Sequence, residues 1–217
     1  MRIGTRVAHT LTCACAVLGI CLAVHADEKG DELRKQVRTA EKTAKTLSAD
    51  YSVETVFGKT KTSEGGTVSL KKPLMVKMVQ KGAAKSGLYS DGKHYVITAQ
   101  GRQFAHGDAS LKSLEGQPAP IMLFFGPGAN ADAMLAGAKS VRLVGAEVID
   151  GVKCDVFELL IKELDMTVRL TANPDHLIVR SIVTMKPDGE TLSVQTCTLK
   201  NVKVNGEIPD ATFGLPK

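Results

Sequence analysis

Two groups of side chains in this sequence have the residue types used in catalysis, and their spacing argues against an enzyme. Ser90, Asp91 and His94 offer a hydroxyl, a carboxylate and an imidazole, but residues across one short turn rarely converge on one reaction centre. Cys154 and His176 are the other nucleophile and base, and nothing beside them in the sequence supports a pair. The motifs HExxH, CxxC and GxSxG are absent. The sequence therefore predicts no catalytic residues, no bound metal and no cofactor.

A pair of lysines interrupts an apolar stretch in SLKKPLMVKMVQ, residues 69–80. Pro73 cannot donate a hydrogen bond to a β-ladder, so it suits a strand edge or a bend. Lys71 and Lys72 are then either a solvated strand end or charges that act on something the sheet holds. If Lys72 acts on a held ligand, Lys72→Leu should alter uptake or release of that ligand while the free energy of unfolding, as for an exposed lysine, changes by less than about 0.5 kcal/mol. Unchanged transfer kinetics would favour the solvated strand end.

The first element of the chain after residue 30 is a predicted amphipathic helix, DELRKQVRTAEKTAKTLSA, residues 31–49. Its apolar stripe at helical spacing is Leu33, Val37, Ala40, Ala44 and Leu47. The stripe is narrow and has no aromatic residue, which favours a helix that covers a sheet over one that lies on a membrane surface.

From Asp50 the apolar period changes from helical to two, which predicts short strands. Gly-rich breaks and the hairpin signal DGK, residues 91–93, separate these strands, so we expect an antiparallel meander. The alternation stops over residues 110–137, where PIMLFF and ANADAMLAG predict two short helices separated by GPG. It resumes at residue 140. The prediction is one α+β domain: a helix, a long antiparallel sheet and a helical insert.

The N-terminus has the pattern of a secretory signal. Arg2 and Arg6 precede a short apolar run, residues 11–24, and Val-His-Ala ends at Ala26. We predict a signal peptide over 1–26 and a soluble exported domain over 27–217, with a buried N-terminal helix as the alternative. Lipid anchoring is disfavoured because Ile20, which is not small, precedes Cys21.

The charge of the predicted mature chain is nearly balanced. The formal net charge of +5 becomes +3 once Arg2 and Arg6 are removed. Nucleic-acid binding needs a concentrated basic face, and the chain also has no Trp for stacking. Nucleic acid is therefore excluded as a predicted partner.

Two cysteines, Cys154 and Cys197, remain after residue 26. An oxidising compartment favours a disulfide between them. Counting across the turns of a simple meander instead places them level but three strands apart, which is about 14 Å at ordinary strand spacing. A disulfide needs Cα atoms within roughly 7 Å, so we predict two free, buried thiols.

The order of several segments resembles the LolA family of periplasmic lipoprotein carriers. These segments are LSADYSVE, SLKKPLMVKM, LYSDGKHYVI, PIMLFF and NGEIPDATFGLP. The wider LolA-like superfamily includes LolB, the RseB sensor domain and mycobacterial lipid carriers. The resemblance implies an unclosed, curved antiparallel half-barrel, with a helical lid over an apolar cavity. Family members often have Arg-Pro where this chain has Lys72-Pro73, and that arginine helps to gate the lid; lysine keeps the charge but lacks the planar fork of donors.

The resemblance implies a periplasmic carrier of lipid or lipoprotein acyl chains, in transport to or sorting at the outer membrane. Envelope membrane proteins are possible further partners. The alternative is an envelope sensor or interaction module of the same fold that binds another protein. The predicted cavity and lid residues are Phe57, Leu70, Lys72, Met75, Met78, Val96, Ile121, Met122, Leu123, Phe124, Phe125 and Met134.

Overall fold

The computed structural model describes residues 27–82, 86–114, 117, 119–125, 138, 140–161 and 165–216. The predicted signal peptide, the predicted helix ANADAMLAG and Met134 lie outside these residues. The helices are α1 (Glu28–Thr43) and α2 (Ala119–Phe124). The strands are β1 (Thr46–Phe57), β2 (Thr60–Lys71), β3 (Met75–Gln80), β4 (Gly87–Asp91), β5 (His94–Ala99), β6 (Arg102–Asp108), β7 (Ser140–Ile149), β8 (Val152–Ile161), β9 (Met166–Ala172), β10 (Ile178–Met185) and β11 (Ser193–Val204).

All eleven strands form one antiparallel sheet in the order β6-β5-β4-β3-β2-β1-β11-β10-β9-β8-β7. Each half is a meander, as the period of two and the turn signals predicted. The first and last strands of the chain, β1 and β11, pair and join the halves, so β6 and β7 are the free edges. The predicted fold class, an unclosed curved sheet with an N-terminal helix and a helical insert, is confirmed.

Both free edges carry a β-bulge that places an extra apolar residue in the edge strand. Phe104 is the extra residue between Gln103 and Ala105 in β6. Val144 is the extra residue between Leu143 and Gly145 in β7. Bulges disrupt the row of backbone groups that would otherwise serve as a template for another strand.

Helix α1 lies against the β7 edge. A Cβ on Gly30 would come within 3.1 Å of the backbone of β7, so this close approach favours glycine. The N-cap residue Asp27 makes no side-chain cap, and its carboxylate accepts a hydrogen bond from the Leu143 N–H at 2.5 Å. The predicted helix was too long, since α1 ends at Thr43 and Leu47 belongs to β1. Leu47 pairs with Leu70 and Val204, so sheet packing prevails over its helical spacing.

The two faces of the sheet differ in what covers them. The inner face, as used below, is the face that packs on α1 and α2 in the main core. One row of paired residues on this face is Leu47, Leu70, Val76, Ser90 and Tyr95. A second row is Ala49, Val68, Met78, Leu88, Ile97 and Ala105.

The prediction that the cysteines are unpaired is confirmed, since Cys154 and Cys197 are both free and buried. The predicted register was wrong. Cys197 pairs through Ser181 and Leu170 with Phe157, not Cys154. Cys154 is an odd number of positions from Phe157 and therefore faces the opposite side of the sheet.

Among the described residues, no helix has both the length and the apolar character that a membrane crossing requires.

Candidate ligand-binding face

Helix α2 is a buried segment of the insert. It confirms the prediction that PIMLFF is helical, and it contacts α1, β10 and β11. The side chains of Ile121, Met122, Leu123, Phe124 and Phe125 are at most 8 % exposed and belong to the main core. The rings of Phe124 and Phe125 meet edge to face with centroids 5.4 Å apart. The five predicted lid residues therefore cover the half of the inner face built by the C-terminal meander.

The half of the inner face built by the N-terminal meander has a cavity of about 190 Å³. Its apolar wall is formed by Met78, Leu88 and Ile97, which pair directly with one another across β3, β4 and β5. The remaining lining residues, most of them polar, are Tyr51, Glu64, Gln80, Ser86, Gly87, Thr98 and Gln117. The cavity therefore combines an apolar wall with polar groups, which is the usual character of a ligand site.

The predicted cavity residues in the sheet divide between its two faces. Leu70 and Met78 lie on the inner face, as predicted. Met75 pairs with Lys71, and Val96 pairs with Tyr89, so both lie on the outer face and do not line the cavity. Met75 and Met78 are an odd number of residues apart in one strand, which places them on opposite faces.

Phe57 was predicted as a cavity residue but is 58 % exposed. It lies on the inner-face row of β1, four and six residues beyond Val53 and Tyr51, at the end where the strand turns. Leu88, Ile97 and Tyr51 were not predicted as site residues. Leu88 lies directly opposite Met78, and Ile97 lies directly opposite Leu88. Pairing the strands across their turns, starting from Met78, is therefore the signal that identifies Leu88 and Ile97.

Tyr51 packs on a glycine rather than on a side chain. It pairs with Gly66, where an added Cβ would be 2.8 Å from the Tyr51 ring and 1.9 Å from the Val79 carbonyl oxygen. Burial, followed by the negative charge of Glu64, raises the pKa of the Tyr51 hydroxyl to about 12. The phenol is therefore neutral at physiological pH, and Tyr51 lines the cavity as an uncharged side chain.

Lys72 joins the two helices and is not a solvated strand end. Its Nζ donates hydrogen bonds to the carbonyl oxygens of Glu41 and, at 3.0 Å, Lys42 in the last turn of α1. These carbonyls have no partner within the helix, and a cation there also complements the helix dipole. The same Nζ lies 5.1 Å from the centroid of the Phe124 ring in α2. Desolvation lowers the pKa of the Lys72 ammonium, and the Glu41 carboxyl partly opposes this shift.

Because of these contacts, we expect a substitution of Lys72 to change the free energy of unfolding by more than a substitution of an exposed lysine would. Lys72→Met should lower the free energy of unfolding by about 1 to 2 kcal/mol, because it removes charge-assisted hydrogen bonds and a cation–π contact. Chemical denaturation measures this loss. Lys81→Met is the matched control: Lys81 is exposed and 3.4 Å from Asp50, and such surface pairs contribute less than about 1 kcal/mol. Equal effects of the two substitutions would contradict the bridging role of Lys72.

Glu41 is a buried carboxylic acid that sequence reasoning missed. It is 3 % exposed; its Oε1 accepts a hydrogen bond from the Ile178 N–H at 3.3 Å, and its Oε2 has no partner. Desolvation raises the pKa of Glu41 to about 7, against the opposing effects of the Ile178 hydrogen bond and the charge of Lys72. The signal was present in the sequence: Glu41 follows Leu33 and Val37 at intervals of four and thus lies on the apolar stripe of α1.

The Ser90, Asp91 and His94 set builds a turn. Asp91 Oδ1 accepts from the N–H groups of Lys93 and His94 at 2.8 and 2.7 Å, and Ser90 Oγ accepts from the Gly92 N–H at 3.2 Å. These bonds hold the β4–β5 hairpin, as the Asp-Gly signal predicted. Within the described ranges, no cluster of His, Cys, Asp and Glu could hold a metal ion.

Residues 31–216 match the model of a family described as "Predicted periplasmic protein (DUF2092)". The chain belongs to the DUF2092 family. This places it among proteins described as periplasmic, which agrees with the expected export. No protein of curated function matches the sequence.

Solved structures share the fold at low identity. MucB is 12 % identical with a TM-score of 0.53; the match covers 88 % of this chain and 64 % of MucB, so the chain spans less than two thirds of that protein. The Mycobacterium tuberculosis lipoprotein LppX is 19 % identical with a TM-score of 0.52, covering 82 % of this chain and 98 % of LppX. LprF from Mycobacterium bovis is 14 % identical with a TM-score of 0.51, covering 85 % and 97 %. The DUF2092 chain therefore has the LolA-like curved-sheet fold.

Proposed function

We propose that this DUF2092 protein is a periplasmic carrier that binds the acyl chains of a lipid or lipoprotein on the inner face of its sheet. The observation that carries the proposal is the cavity whose wall is Met78, Leu88 and Ile97, beside the buried apolar helix α2. Acyl chains need a continuous apolar wall, and the polar part of the lining, which includes Glu64, is left to the headgroup. These three paired side chains supply such a wall.

Helix α2 is the lid of this carrier. The cavity alone is small, and a chain that enters it extends along the inner face only if α2 leaves β10 and β11. Within the described residues, the contacts that hold α2 are side-chain packing and the Lys72–Phe124 contact. Apolar packing can re-form around an acyl chain with little change in free energy, because one apolar neighbour replaces another.

The test is binding of a fluorescent long-chain fatty acid to the full chain. Ile97→Lys should weaken this binding by at least about tenfold, because it places a charge on the apolar wall. Ile97 is half-buried, so the side chain has room to turn outward and the fold should persist; a thermal melt checks this.

The matched control is Val148→Lys, which adds the same charge at a 67 % exposed position on β7. It should bind the fatty acid as the wild type does. If the folded Ile97→Lys variant also retained wild-type affinity, or if the wild type bound no fatty acid, the carrier proposal would be wrong. Binding of an envelope protein instead would then favour the interaction-module alternative.

A further inference from the structure

A cluster of exposed apolar side chains lies at one end of the sheet, where β1, β10 and β11 turn. The apolar rim is defined as Phe57, Met185 and Leu192, which are 58, 40 and 41 % exposed. Contiguous exposed apolar surface, unlike a single exposed side chain, is a mark of interaction sites.

Backbone contacts hold the three rim residues together. Ser193 pairs with both Phe57 and Met185. The Leu192 N–H donates to the Met185 carbonyl at 2.9 Å, and the Gly58 N–H donates to the Leu192 carbonyl at 3.3 Å. The rim thus joins Phe57 to a segment more than a hundred residues later in the chain, and backbone hydrogen bonds hold the two segments side by side.

The apolar rim continues the inner face to solvent. Met185 pairs with Met166, and Met166 pairs with Ile161, which is 7 % exposed and belongs to the main core. The Lys72 turn lies at the opposite end of β2, so the rim is at the end of the sheet away from the lysine that contacts α2.

We propose that the apolar rim docks the protein on a zwitterionic lipid bilayer by inserting Phe57, Met185 and Leu192 among the acyl chains. Three partly exposed side chains offer a few hundred Å² at most, below the roughly 800 Å² per partner of a stable protein interface. Insertion into lipid does not need that area, because each apolar side chain contributes on its own.

Charge at the rim selects the kind of bilayer. Among the described residues, the exposed charged side chains on its turns are of both signs, and they are Lys59, Lys186, Asp165, Asp188 and Glu190. A surface with slightly more negative than positive groups gains nothing from anionic lipids, so neutral headgroups are the better match. This docking does not require cargo in the cavity, and it stands independently of the carrier function.

The experiment is co-sedimentation of the full chain, as the cell processes it, with phosphatidylcholine vesicles. Changing Phe57, Met185 and Leu192 together to Ser should weaken vesicle binding by at least about tenfold, because the inserted apolar area is lost. Phe104→Ser is the matched control: Phe104 is 79 % exposed on the bulge of β6, far from the rim, and its loss should change vesicle binding by less than about twofold.

Three results would overturn the proposal. One is wild-type binding by the triple variant, and another is a wild type that binds no vesicles. The third is a wild-type dimer in sedimentation velocity that the triple variant converts to a monomer, which would assign the rim to a second copy. Adding phosphatidylglycerol should not strengthen binding; a rise of more than about tenfold would contradict the zwitterionic choice. Fatty-acid binding measured in parallel separates this proposal from the carrier function, since the triple variant should retain it.

Discussion

Glu41→Gln should have little effect on stability near pH 4 and should make the protein more stable than the wild type by about 3 kcal/mol near pH 8. The pKa of Glu41 is about 7 in the folded protein against an ordinary 4.5, because its carboxyl is desolvated. Below the ordinary pKa the carboxyl is protonated in both states, and it costs nothing. As pH rises towards 7, the unfolded chain ionises first, so the folded state loses relative stability until its own carboxyl ionises.

The measurement is the free energy of unfolding of both proteins by urea, at several pH values from about 4 to 8. The informative quantity is the change in their difference with pH, since the protonated Glu41 carboxyl and the glutamine amide both leave the position of Oε2 without a hydrogen-bond partner. Glu32→Gln is the control: Glu32 is exposed in the same helix and accepts a hydrogen bond from Gln36. A pH-independent difference between Glu41→Gln and wild type would mean that Glu41 ionises in the folded protein as an ordinary carboxyl does.

The strands were predictable because their signal is local. The period of two in β1 and the Asp-Gly turn before His94 depend only on neighbouring residues, and both are present in the structure. The pairing of β1 with β11 was not stated by that signal, because it joins the two ends of the chain. No turn joins β1 to β11, so no local sequence signal sets the register between these two strands.

The candidate site was predicted less well than the fold, because apolar character alone does not state which face a residue occupies. Met75 and Met78 are the same residue type in one strand, yet only Met78 lines the cavity. Val96 is 7 % exposed, so it meets the expectation of a buried apolar residue, but it lies on the outer face. On that face, Lys71 holds the C-terminal segment through Asp210 at 2.5 Å.

Glu41 and Lys72 show a second limit of prediction from the sequence, which concerns charged residues. Both are charged, and charged residues are usually assigned to solvent when only the sequence is known. Their environment depends on the end of α1, the β2–β3 turn and α2 meeting at one place, which is a property of the tertiary structure. The resemblance to LolA-like proteins did indicate Lys72, which contacts Phe124 of α2 in the structure.

Phe124→Ala should destabilise the state in which α2 is closed by about 3 to 5 kcal/mol, the usual cost of removing a fully buried phenylalanine ring. Phe124 is 0 % exposed, and the substitution also removes the ring beneath Lys72. Phe57→Ala deletes the same atoms at a position that is 58 % exposed, and it should change stability by about 0.5 kcal/mol or less. Because both substitutions delete the same atoms, a difference between their effects on stability reports the burial of the ring.

Phe124→Ala also tests whether α2 is a lid. The deciding quantity is the part of the lost stability that appears in the free energy of global unfolding. If α2 opens separately, the loss in urea denaturation cannot exceed the free energy of opening, since the variant then rests in the open state. We therefore expect a global loss below about 3 kcal/mol, with the amides of α2 exchanging hydrogen far faster than those of β10 and β11. A carrier with its lid open should also take up the fatty-acid probe faster than wild type. If the full 3 to 5 kcal/mol appeared in global unfolding, and the α2 amides exchanged only when the whole sheet unfolded, α2 would be a fixed part of the core and the lid assignment would be wrong.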